Sequence, residues 1–104
     1  MTRLLATVAA CAIAVFSVLH AAPAPAQNAN AQLLTLSCSG CHGANGHSPG
    51  QMPPLFGRSA DMIAQALREF RADQRPATVM NRIAKGYTAA EIDAVAREIA
   101  TTWR

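Results

Sequence analysis

Cysteine is scarce in this chain of 104 residues: it has three, of which Cys11 sits in an apolar stretch near the start and only Cys38 and Cys41 lie beyond it. Two cysteines three positions apart cannot close a useful disulfide loop, and there is no second pair to complete a four-ligand structural zinc site. Alternating apolar and polar residues are missing as well, so nothing reads as a strand, and the βαβ setting of a thioredoxin-like dithiol is excluded. Only 14% of the residues are charged. From Gln27 onward eight Lys/Arg oppose six Asp/Glu, scattered rather than clustered, so the basic stripe that nucleic-acid binding needs is absent. No set of acid, base and nucleophile is present either, so substrate chemistry by this chain alone is not expected.

Long apolar runs are also lacking, with one exception. The stretch LLATVAACAIAVFSVL carries no charge, follows Arg3, and is followed by HAAPAPAQ. Basic residue, apolar run and small residues with prolines come in the order of a secretory signal peptide. Ala24-Pro25-Ala26 is the best cleavage site and Ala29-Asn30-Ala31 the second, so residues 1–26 are expected to leave on export, and residues 27–104 to form one domain. The run is short for a membrane span, without stop-transfer charges on its far side, so no stable membrane insertion of the mature chain is expected. A domain of roughly 78 residues buries too little apolar surface to be secure alone, and with no disulfide framework its staple should be a ligand.

What is present is local. QNANA (27–31) reads as a disordered lead-in, and Ala31–Cys41 as a short helix with Leu33, Leu34 and Leu36 available for packing. GANGHSPGQMPPLFG, residues 43–57, is too rich in Gly and Pro for a regular element. Ser59 offers an N-cap, with Asp61 in the first turn. Met62, Ile63, Ala66, Leu67 and Phe70 then recur at helical spacing over 60–72, with Met62 read as a core residue. Pro76 interrupts, a short helical piece covers Thr78–Lys85, and Thr88 with Glu91 forms a capping box. Ile92, Val95, Ala96 and Ile99 stripe the last helix, with Trp103 near its end. The reading is all-α, three or four short helices with long loops.

The chemistry lies in SCSGCHG, residues 37–43. C-x-x-C-H is the pattern of c-type haem attachment. Two thiols one helical turn apart match the two vinyl groups of a porphyrin, and His42 then falls under the iron. A covalent haem is also the missing staple. For the opposite face of the iron, Met52 lies on the histidine's own side, whereas Met80 follows the Pro76 break far enough on to have passed round the haem edge. A methionine there raises the potential and suits electron transfer. His47 reads as a surface residue. The proximal imidazole needs an acceptor on its other nitrogen, and the Pro53 carbonyl is the candidate. Arg58, Arg82 and Lys85 are candidates for steering an acidic partner.

CSGCHG, then PPLFG, a helix, and VMNRIAKGYTAAEI resembles the class I c-type cytochromes over nearly all of the mature chain. The resemblance implies a small class I cytochrome c fold wrapped around one covalent haem c. It also implies Cys38 and Cys41 as attachment sites, His42 as proximal ligand, Pro53 through Gly57 as the loop carrying the carbonyl, and Met80 as distal ligand. The M-x-R-I-A-K-G-Y stretch is further similar to the haem subunit of flavocytochrome c sulfide dehydrogenases. That implies a periplasmic, mono-haem electron-transfer subunit whose partner is an FAD-containing flavoprotein oxidising sulfide, with a downstream cytochrome or oxidase as acceptor. The same stretch, somewhat varied, occurs in free carriers of the c553 and c4 kinds, the alternative. One departure is Glu98-Ile99, where such cytochromes often carry an aromatic pair; Trp103, one turn on, is the substitute.

Overall fold

The computed structural model describes residues 25–104, and the expected leader, residues 1–26, lies almost wholly outside them. Four helices follow in order: α1 (Pro25–His42), α2 (Ala60–Arg71), α3 (Met80–Ala84) and α4 (Ala89–Thr102), with a single 3₁₀ turn, Ala44–Gly46, between α1 and α2. No strand occurs among the described residues. α4 packs against both α1 and α2, α3 rests on α2, and the 3₁₀ turn stays beside α1.

The local signals account for most boundaries. The Ser59 hydroxyl accepts from the Met62 amide and starts α2. At α4 the Thr88 hydroxyl accepts from the Glu91 amide while the Glu91 carboxylate accepts from the Thr88 amide, which satisfies two of the amides a helix start leaves free. Ile92, Val95, Ala96 and Ile99, one face at helical spacing, are all buried and make the centre of the core with Ile63, Ala64 and Trp103. Each large aliphatic side chain so buried is worth about 1.5–3 kcal/mol.

Three expectations are corrected. Residues 27–31 are not a disordered lead-in but part of α1, which begins at Pro25; proline's fixed φ suits a first helical turn, and no glycine or later proline interrupts the segment. On α1 it is Ala31 and Thr35 that are buried and Leu34 that packs on the core, whereas Leu33 and Leu36 are exposed. Small residues at 31 and 35 let α4 come close, and Thr35 satisfies its hydroxyl by donating to the Ala31 carbonyl at 2.7 Å. On α2, Met62 is not core but 54% exposed, because the buried face runs through Ile63 and Ala64, one residue further round the helix.

Trp103 closes the fold. It is 6% exposed and belongs to the core cluster, its amide donates to the Ile99 carbonyl at 2.8 Å, and its carbonyl accepts from the Gly57 amide at 2.9 Å. Its ring covers Gly46, where a Cβ would lie only 2.8 Å from Trp103 Cε3 and 2.7 Å from the Phe56 nitrogen. Gly46 also has φ 73°, so both its conformation and its surroundings require glycine.

Candidate functional site

The last turn of α1 carries Cys38, Cys41 and His42. Cys38 faces the core, packed at its edge, with its thiol 3.9 Å from the Leu34 carbonyl; Cys41 is exposed. Burial pushes the Cys38 thiol above its ordinary pKa, more than its hydrogen bonds lower it. Neither cysteine is in a disulfide.

Immediately after His42 the chain reverses. Gly43, at φ 83°, allows this, because any side chain there would collide with the His47 carbonyl. Asn45 adopts a left-handed conformation, and the Gly46 carbonyl accepts from the amides of Leu55 (3.0 Å) and Phe56 (3.3 Å). These bonds fold the 47–56 loop back upon the end of α1. The imidazole of His47 stacks on Phe56, ring centroids 4.0 Å apart, and His47 is exposed. The Arg58 guanidinium donates to the Pro54 carbonyl at 2.8 Å, and Lys85 pairs with Asp73, so two of the three candidate steering cations are engaged within the chain.

The folded loop sets Pro53 beside His42: Nδ1 donates to the Pro53 carbonyl at 2.6 Å. A carbonyl can only accept, so Nδ1 carries the hydrogen of this bond, and the atom left to bind elsewhere is Nε2. Met80 opens α3, half-buried, on the far side of a segment that leaves α2 at Ala72. The structure thus brings together Cys38, Cys41, His42 and Pro53, and places Met80 on a separate element that packs on α2. Two clefts flank the contact of α1 with α4, one lined by Leu33, Leu36, Asn45 and Trp103, and neither is lined by Cys38, Cys41, His42 or Met80.

These residues fit a covalently attached haem. The cysteines are three residues apart, about 4.5 Å of helix rise and just under one turn, and the His42 imidazole is held by the loop through Nδ1, which leaves Nε2 free to ligate. Large apolar side chains that a folded chain normally buries are exposed on the loop, α2 and α3: Met52, Phe56, Met62, Val79 and Ile83. They belong to the elements around His42 and Met80, and a flat apolar group is the kind of body that would cover them. Sequence reading missed this role for Met62, since periodicity marks an apolar stripe without saying what lies against it. It also missed Asn81, next to Met80, whose side-chain oxygen is buried without a partner; a lone asparagine gives no signal in a sequence.

Residues 26–103 match the family model described as cytochrome c. The chain is 44% identical over 72 residues to the cytochrome subunit of sulfide dehydrogenase of Chlorobaculum tepidum, covering 69% of this chain and 66% of that protein. It is 40% identical over 60 residues to cytochrome c-552 of Acidithiobacillus ferridurans, covering 58% of this chain and 26% of that protein. The match therefore spans about two thirds of one curated relative and about a quarter of the other.

Proposed function

This chain belongs to the cytochrome c family, and on that premise we propose that it holds a single haem c, bonded to Cys38 and Cys41 and ligated by His42 and Met80, and carries electrons in the periplasm. The observation that carries this reading is the His42–Pro53 hydrogen bond at the end of the thiol-bearing turn. The haem supplies a one-electron couple between ferric and ferrous iron.

The rest is the protein's own work. Pro53 holds the imidazole in one tautomer and one orientation, so its basicity and aim are the same in both oxidation states. The Gly46–Leu55 and Gly57–Trp103 bonds make the carbonyl-bearing loop stiff, which limits reorganisation when charge changes. Met80 supplies a soft sulfur that favours the reduced state and raises the potential. Exposed apolar groups at the rim, Met52 and Phe56 among them, exclude water from the site and offer a surface on which a partner can approach. No helix among the described residues is long and apolar enough to cross a membrane.

The donor is a flavoprotein that oxidises sulfide at an FAD, with this chain as its cytochrome subunit; the acceptor is a further cytochrome or an oxidase. The 44% identity to a cytochrome subunit of sulfide dehydrogenase supports this partner, while the likeness to cytochrome c-552 favours, as a second reading, a free soluble carrier. Gentle purification from the periplasm, with visible spectra before and after sulfide addition, tests both. Flavin absorbance co-eluting with haem and rapid haem reduction by sulfide is the expected result. A small haem-only protein that sulfide reduces slowly moves the assignment to the free carrier.

A further inference from the structure

Between the end of α2 and the start of α3 runs the segment that delivers Met80. Its first residues are tied down: the Gln74 amide donates to the Glu69 carbonyl at 2.8 Å, and Arg75 both donates to Glu69 at 2.7 Å and lies over the Phe70 ring at 5.5 Å. From Arg75 to Thr78, by contrast, no backbone–backbone hydrogen bond is made among the described residues. A segment with so few backbone bonds opens easily on its own. What spans its base is one ion pair: Lys85, the residue that ends α3, donates to the Asp73 carboxylate at 2.5 Å. Asp73 has φ 55°, a left-handed conformation that a short carboxylate side chain tolerates and that turns the chain out of α2.

We propose that Asp73 and Lys85 form a clasp that closes the 74–80 segment and keeps Met80 in position, both acting as positioning residues. The inference rests on Met80 being an iron ligand. The clasp governs how often the sulfur leaves, and hence how readily a foreign ligand enters, without adding much to global stability, since the ion pair is about half exposed on both sides.

The test uses the haem-loaded ferric protein titrated with imidazole, which binds only where Met80 has left: the sulfur–iron bond breaks, a nitrogen–iron bond forms, and no electron moves. Asp73→Ala and Lys85→Gln should each raise the apparent imidazole affinity by about two- to fivefold, the range an exposed polar contact supports. The denaturant midpoint at neutral pH should stay near that of the parent. The double variant Asp73→Ala/Lys85→Gln should match the single variants rather than the product of their effects, because the two residues make one contact. Asp93→Ala, which breaks the similarly exposed Arg68–Asp93 pair between α2 and α4, is the control and should leave imidazole affinity unchanged. Unchanged affinity in both clasp variants, or an equal rise in the control, overturns the clasp. A parent protein lacking the weak red absorption of a sulfur–ferric iron bond would instead overturn the Met80 assignment, and the clasp with it.

Discussion

At the scale of single residues, the site is a set of atoms with one job each. On the proposed ligation, Met80→Ala removes the sulfur and is expected to abolish the red sulfur–iron band and to lower the midpoint potential, by a sizeable part of the roughly 0.8 V that axial ligation spans. Spectroelectrochemistry on the purified variant checks both. Gly46→Ala puts a methyl group into the Trp103 ring and forces a left-handed alanine. It should cost about 1–3 kcal/mol from backbone strain alone, read as a lowered denaturant midpoint. The attachment motif is legible in the sequence because its five positions are contiguous and its chemistry depends on spacing within one helical turn. Met62 is not. Its periodicity points it towards the core, yet it is exposed, because one hundred degrees of helix rotation separate it from Ile63 and sequence does not resolve that angle for a stripe several residues wide. Asn81 was invisible for a different reason: what marks it is burial without a partner, a property of the fold alone.

At the scale of elements, caps decide where helices start. Thr88→Ala removes the hydroxyl half of the box at α4, leaving the amide of residue 88 on the Glu91 carboxylate, and should cost about 1 kcal/mol, measurable by chemical denaturation. That box, and the Ser59 cap of α2, were legible because capping is local. α3 was read two residues too early. Val79, not a polar residue, precedes its first turn and provides no side-chain cap, so the helix begins only at Met80. The start of α1 was read too late because Ala, Gln and Asn carry no strong signal in either direction. The junction of α2 with the Met80 segment also carries a pH dependence. Hydrogen bonds from Gln65 and then Arg75 hold the Glu69 carboxyl below its ordinary range, and Lys85 does the same for Asp73. A carboxylate with a lowered folded pKa contributes stability that is fully present above its unfolded value, about pH 4, and is lost as pH falls through the lowered one. The midpoint should therefore be flat from neutral pH to about 5 and fall below about 4. Lys85→Gln should shift less over the acid range than the parent, and denaturation curves at stepped pH give the comparison.

At the scale of the whole molecule, two terminal helices meet at a core of a few aliphatic side chains, and a tryptophan carries that core across to the carbonyl-bearing loop. Trp103→Ala removes the ring from Gly46 and should destabilise by about 3–5 kcal/mol, the usual loss for a buried aromatic. The all-α architecture was readable because each helix has its own periodicity. The position of α4 across α1 was not, since it depends on Ala31 and Thr35 being small enough to let the helices approach while the larger Leu33 and Leu36 stay outside.

The bond from the Gly57 amide to the Trp103 carbonyl has a consequence in time. A chain is made and delivered from its N-terminal side, so the thiols at 38 and 41 arrive long before the residue that seals the loop around them. During that window the attachment turn can form while the loop above it is still unfastened. If haem is attached at these thiols as proposed, that order gives attachment its opening, and a version of this protein permuted to begin near residue 58, in which only the residues from His42 to Gly57 follow the thiols, should narrow it.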